Sequence, residues 1–230
     1  MNQFALIFLF FTYFTADLSS HSMQQSMQKK YHYLAVGDSY TIGEKVKSSE
    51  NFPSQVFAEL KDKINIEAPR IIATTGWTTD ELEAGIAESN KKDALLSNYD
   101  FVTLLIGVNN QYRGRDIENY KTEFEELLKK AIQFAGNRNE RVIVLSIPDW
   151  GVTPFAEGRD REKISEEIDM YNRANQKIAE QYNIYYINIT PWTREASNDP
   201  SLLAEDGLHP SGKEYHRWAQ KIASRFLSII

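Results

Sequence analysis

Three residues of this chain have the types that make a nucleophile, a general base and the carboxylate that orients the base: Ser39, His209 and Asp206. A serine hydroxyl attacks poorly until a base takes its proton. The chain has four histidines. His21 lies in a leader-like segment, His32 at the start of a strand pattern, and His216 inside a helical pattern beside Tyr215. His209 alone sits in a loop between a strand and a helix, in Asp206-Gly207-Leu208-His209-Pro210. Asp206, three residues before it, can hold one ring nitrogen protonated and leave the other to accept the serine proton. His209 also precedes a helix N-terminus, where positive charge is disfavoured, so a carboxylate partner is the more needed. Three more segments carry turn-forming and donor residues: Gly37-Asp38-Ser39-Tyr40, Thr75-Gly76-Trp77-Thr78 and Gly107-Val108-Asn109-Asn110. Each alone reads as a plain turn.

The elements around them decide where they go. Tyr31–Val36 reads as a strand that stops at Gly37, Arg70–Ala73 as a second, Phe101–Ile106 as a third, Val142–Ile147 as a fourth and Ile184–Ile189 as a fifth. Between them run helix-period segments: Phe52–Leu60, Thr78 to about Asn90, Asp116–Ala135 and Glu162–Tyr182, with Ser211–Leu227 last. Thr78 with Glu81 fits a capping box. On the Asp116–Ala135 helix, Ile117, Tyr120, Phe124, Leu127, Leu128, Ala131 and Ala135 form one apolar face, and Glu125/Lys129 and Glu126/Lys130 are spaced for i,i+4 pairs. A loop from Asp149 to Gly158 follows the fourth strand. Strands alternating with helices predict an α/β fold, a flavodoxin-like doubly wound five-stranded parallel sheet with helices on both faces. Ligands bind beyond the carboxyl ends of such strands. The nucleophile, the base, its carboxylate and several amide donors all fall on that rim.

At these residues the chain resembles the SGNH (GDSL) hydrolase superfamily, whose four short blocks carry Ser, Gly, Asn and His. They fall here on Ser39, Gly76, Asn109 and His209, with Asp206 completing an Asp-x-x-His block. The resemblance runs from about Tyr33 to Phe226. Tyr40 stands in place of the Leu of the motif and Asn110 in place of the usual Asp. The resemblance implies an SGNH hydrolase fold and serine-dependent hydrolysis of carboxylic esters through an acyl-enzyme. Ser39, Asp206 and His209 are then catalytic, and Ser39, Gly76 and Asn109 supply the oxyanion hole. The backbone N–H of Gly76 lies near a helix N-terminus, the side chain of Asn109 is an amide donor, and the Ser39 N–H is the natural third. Asp38, Trp77 and Tyr112 are candidates for the substrate pocket, with Arg113 beside them. Asp38 can equally tie its loop by hydrogen bonds, and the aromatics can equally be core.

Other classes fit less well. A classical α/β-hydrolase needs Gly-x-Ser-x-Gly, and here Thr41 replaces the last Gly. No phosphate-binding Gly-rich motif is present. A binding module for acyl groups or carbohydrate, on a catalytically silent hydrolase fold, is the alternative from another class, against which the intact catalytic set argues. The expected partner is a small-molecule ester with a small or single acyl chain, such as a lysophospholipid or an acetylated carbohydrate. A net charge of -6 with no Lys/Arg cluster argues against nucleic acid. No spacing of His and carboxylates suits a metal, and no cofactor is expected. The absence of Cys excludes disulfides and thiol catalysis. The sequence is silent on oligomeric state.

Phe4–Phe14 is an unbroken run of apolar residues and Thr. It falls short of the roughly 20 residues of a membrane span and has the length of a signal-peptide h-region. Cleavage after Ser22 would suit the small residues Ser20 and Ser22, although the n-region has no Lys or Arg. The expected organisation is a signal peptide and leader over residues 1–28 and a single hydrolase domain over 29–230, with no stable span in the mature protein. The location would be secreted or periplasmic, or cytoplasmic if the segment is a packed N-terminal helix.

Overall fold

The computed structural model describes residues 29–230; the expected leader, 1–28, lies outside the described residues. Apolar strands that are buried on both faces must be covered on both faces, and that requirement organises the molecule. The elements in chain order are β1 (Tyr33–Gly37), α1 (Ser39–Ile42), α2 (Phe52–Leu60), β2 (Arg70–Ala73), α3 (Thr79–Lys92), β3 (Phe101–Leu105), α4 (Val108–Tyr112), α5 (Ile117–Phe134), β4 (Val142–Leu145), α6 (Arg161–Gln181), β5 (Tyr185–Ile187), α7 (Thr190–Arg194) and α8 (Gly212–Leu227). The strands form one parallel sheet in the order β2-β1-β3-β4-β5, as expected. β1, β3 and β4 are buried along their whole length.

The chain leaves β1 toward β2 on one side and returns to β3 on the other. β1 and β3 are thus neighbours, with Gly37 level with Leu105. A crevice opens beyond their carboxyl ends, where a doubly wound sheet reverses direction.

Helix ends follow local chemistry. Thr78 caps α3 in a capping box with Glu81. Asp116 accepts the N–H groups of Glu118 and Asn119 at the start of α5, and Ser211 caps α8. α5 buries the face expected of it, with Ile117 only half-buried. Tyr215, Trp218, Ala219, Ile222 and Phe226 of α8 are all buried. Phe226 stacks on Phe101 of β3 at 4.1 Å, and Trp218 packs against Phe52 of α2 at 6.1 Å. Gln55 of α2 donates to the Gly212 carbonyl at 2.9 Å, so α2 and α8 are also joined by a hydrogen bond.

Two expectations are corrected. Lys129 pairs with Glu125 at 3.1 Å, but Lys130 does not pair with Glu126. Lys130 reaches Glu83 of α3, and Glu126 pairs with Lys129 at 2.8 Å. Between two packed helices a lysine has a partner that spacing on its own helix does not reveal. The loop after β4 is also more ordered than a plain loop, with single 3₁₀ turns at Trp150–Val152 and Pro154–Ala156. No helix among the described residues is long and apolar enough to cross a membrane.

Candidate active site

At Gly37, the last residue of β1, the chain leaves no room for a side chain. A Cβ there would lie 2.4 Å from the Leu105 carbonyl oxygen and 2.1 Å from Thr41 Oγ1. Asp38 then caps α1, its Oδ1 accepting the Tyr40 N–H at 3.0 Å. Ser39 is therefore the first residue of a short helix, and its side chain is buried at the rim of the sheet. Asp38 is buried beneath it. Burial pushes its carboxyl up to about 7, against the pull of the Tyr40 N–H and its own N–H.

The base arrives from the far end of the chain. His209 is held in a turn closed by the Ala204 N–H donating to the His209 carbonyl at 2.7 Å and the Ser211 N–H donating to the Leu202 carbonyl at 2.8 Å. Asp206 organises the turn from within. Its Oδ1 accepts the N–H groups of Leu208 and His209 at 3.1 and 3.0 Å, and its Oδ2 faces His209 Nδ1 at 2.6 Å. A carboxylate only accepts, so the ring carries its proton on Nδ1 and leaves Nε2 bare. Nε2 stands 2.9 Å from Ser39 Oγ, across 170 positions of sequence. Burial raises the Asp206 carboxyl, but hydrogen bonds from the His209 ring and from the His209 and Leu208 amides win and hold it below the usual value. The Tyr40 ring lies 5.2 Å from the imidazole.

α4 presents three consecutive polar side chains in three directions. The Asn109 amide donates to the Trp77 carbonyl at 2.9 Å, which fixes its plane and leaves its second N–H uncommitted by that bond. Asn110 is fully buried and bridges to α3, accepting the Thr79 N–H at 3.1 Å and donating to Thr79 Oγ1 at 2.7 Å. Asn110, one of the two residues that depart from the motif the sequence resembles, thus holds two elements together. Gln111 donates to Glu167 at 2.7 Å and accepts from Trp150 Nε1 at 2.8 Å. Gly76 has φ +86°, in the left-handed region, and its carbonyl accepts from Arg113 Nη2 at 2.6 Å.

A cleft of about 180 Å³ lies over these groups. Ser39, Gly76, Asn109 and His209 line its floor, and Tyr112, Trp150, Phe155 and Leu208 its walls. The expected catalytic and oxyanion residues are therefore brought together. Of the three candidate pocket residues, only Tyr112 lines the cleft. Asp38 is corrected to a helix cap below the floor. Trp77 is corrected to a packing residue: its ring lies so close over α3 that a Cβ on Gly85 would stand 2.1 Å from it, and it borders a groove beside β2 instead. Arg113 stays beside the site, bonded to Gly76 and, at 3.0 Å, to Glu81. Trp150, Phe155 and Leu208 were not singled out in the sequence. Their only signal is apolar residues in two loops at the functional rim.

Residues 35–217 match the model of the GDSL-like lipase/acylhydrolase family. The chain belongs to that family. It is 27% identical over 150 residues to an acetylxylan esterase of Geobacillus stearothermophilus, a match covering 60% of this chain and 62% of that relative's length. Among solved structures, a psychrotrophic esterase from Pseudoalteromonas sp. superposes with a TM-score of 0.65 at 14% identity, covering 86% of this chain and 98% of the other. A lipase/acylhydrolase from Enterococcus faecalis superposes with a TM-score of 0.62 at 21% identity, covering 86% and 96%. These likenesses show a shared fold.

Proposed function

We propose that this chain is a serine-dependent carboxylic ester hydrolase that works through an acyl-enzyme. The observation that carries the reading is the continuous line from Asp206 Oδ2 to His209 at 2.6 Å and from His209 Nε2 to Ser39 Oγ at 2.9 Å. His209 takes the Ser39 proton as Oγ adds to the ester carbonyl, and Asp206 stabilises the imidazolium. The oxyanion is met by the N–H groups of Ser39 and Gly76 and the second amide hydrogen of Asn109. Collapse expels the alcohol, which leaves with the proton from His209. Water then adds to the acyl carbon with His209 again as base, and Ser39 is regenerated.

Short acyl groups suit the cleft, since its roughly 180 Å³ falls below the ~300 Å³ at which pockets for larger ligands begin. Acetylated carbohydrate is the substrate class we favour, supported by the name of the acetylxylan esterase relative. The test is a series of p-nitrophenyl esters together with fluorophosphonate labelling. Wild-type protein should label on Ser39 and turn over acetate and butyrate, and Ser39→Ala should do neither while keeping its fold. Undiminished turnover in Ser39→Ala would refute the serine mechanism, and absent turnover with an unlabelled Ser39 would favour the silent binding module.

We further propose that residues 1–28 are a signal peptide and leader, that 29–230 form a single hydrolase domain, and that the protein is secreted or periplasmic. N-terminal sequencing of protein from its native host should then find a start near Met23. An intact Met1 would count against export.

A further inference from the structure

The wall of the cleft is built from two segments distant in sequence. Tyr112 ends α4, and Trp150 and Phe155 lie on the loop after β4. Their rings meet at 5.3 Å (Tyr112–Trp150), 6.0 Å (Trp150–Phe155) and 6.3 Å (Tyr112–Phe155). Trp150 is buried and anchored by its hydrogen bond to Gln111. Tyr112 and Phe155 are 45% and 42% exposed, so burial does little to fix either ring.

One cation holds them. The Arg159 guanidinium lies 5.2 Å from the Tyr112 ring centre, 5.3 Å from that of Trp150 and 5.7 Å from that of Phe155. Its Nη2 also donates to Tyr112 Oη at 3.2 Å. Among the described residues no carboxylate forms an ion pair with Arg159, so nothing competes with the rings for it. A guanidinium is planar and weakly hydrated, which suits it to lie against aromatic surface where an ammonium would stay in water. The same loop is tied to the catalytic turn, because the Phe155 N–H donates to the Gly207 carbonyl at 3.2 Å.

We propose that Arg159 is a specificity-determining residue that limits the acyl chain the cleft accepts, by holding Tyr112 and Phe155 against Trp150. It touches no reacting atom and acts through the wall. The inference rests on the ester-hydrolase reading above. The three rings line one side of the cleft, and the acyl chain is the apolar half of an ester, so the chain lies along them. With the cation gone, the two exposed rings can turn outward and the cleft lengthens. Each further methylene that then leaves water contributes about fourfold in binding.

The experiment compares kcat/KM for p-nitrophenyl butyrate and octanoate in wild type, Arg159→Ala and Arg159→Lys. Arg159→Ala should raise the octanoate-to-butyrate ratio by about tenfold or more, carried by the KM of the longer ester, and Arg159→Lys should raise it less. An unchanged ratio, or a parallel loss on both esters, would overturn the proposal, as would a change that follows the alcohol rather than the acyl chain. A second measurement does not depend on turnover. In a Ser39→Ala background, calorimetry with the neutral probes butyramide and octanamide should show the same shift in affinity ratio when Arg159 is replaced by Ala. If wild-type protein hydrolyses no ester, the ester reading fails, and this binding ratio still decides for or against Arg159.

Discussion

Asp206 does two jobs that one pair of substitutions separates. Its Oδ1 accepts two backbone N–H groups, and its Oδ2 holds His209. Asp206→Asn can keep Oδ1 as an acceptor but sets an NH₂ group against His209 Nδ1. The ring must then accept at Nδ1 and carry its proton on Nε2, facing Ser39 Oγ as a donor that cannot take the serine proton. A wrong tautomer of this kind costs about 10⁴ in kcat. Stability should fall little, by about 1 kcal/mol, since the backbone bonds survive. Asp206→Ala loses the backbone bonds as well. Bonds to a charged acceptor contribute about 1.5–3 kcal/mol each, and at this partly solvated turn the low end applies, so the loss is about 3 kcal/mol. In a domain of this size that lowers Tm by about 6–12 °C, against about 2–4 °C for Asp206→Asn. The assay is kcat on p-nitrophenyl acetate beside thermal unfolding at pH 7. Equal Tm values for the two variants would refute the backbone role, and an Asp206→Asn enzyme within tenfold of wild type would refute the tautomer argument. The carboxyl is held below its unfolded value, so its contribution to stability is present above about pH 4 and is lost as pH falls through the lower folded value.

Asn109→Ala should lower kcat by about 10²–10³ with little change in KM, and Ser39 should still label with fluorophosphonate; full kcat would mean that the amide only ties α4 to Trp77. Asp38 titrates in the opposite sense to Asp206. Burial lifts its folded value to about 7, so the stability of its neutral form is fully present below about pH 4 and is lost as pH rises through about 7. Asp38→Asn keeps an acceptor for the Tyr40 N–H and removes that loss, so the variant should gain on wild type by on the order of 4 kcal/mol between pH 4 and pH 8, read by urea unfolding. A gap that stays constant with pH would show that burial does not raise the Asp38 carboxyl above its unfolded value.

What was legible in the sequence had a short physical range. The apolar stripe of α5, the capping box at Thr78 and the apolar run of β3 are read from neighbours along the chain, and the structure agrees with each to within a residue or two. Ser39, Gly76 and Asn109 were legible because each follows a strand in a fold that gathers strand ends together, whereas Asp206 and His209 lie beyond α7 and were legible from their own spacing just before the α8 helix. The short helices α1, α4 and α7 have four or five residues, too few to show a helical period. The cleft wall was not legible for another reason. Trp150 and Phe155 face Tyr112 across two segments distant in sequence, joined by Gln111 on α4 and by Arg159 at the end of the loop. Trp77 misled because adjacency to Gly76 in sequence says nothing about which side of the turn a ring takes. The absence of a side chain at Gly85 gives that ring its place.

The hydroxyl of Ser39 and the imidazole of His209 enter the molecule at opposite times. Synthesis runs from the N-terminus, so the strand that presents the hydroxyl is made 170 positions before the turn that presents the imidazole, and the domain folds as a unit. The turn that carries the imidazole is complete only once the chain has passed Ser211, whose N–H closes it on Leu202, and it leads into α8, which packs on α2 through Trp218 on Phe52 and Gln55 on Gly212. Until then the growing chain carries a serine with no base beside it. On the proposed mechanism, a chain that stops before that turn therefore cannot activate Ser39.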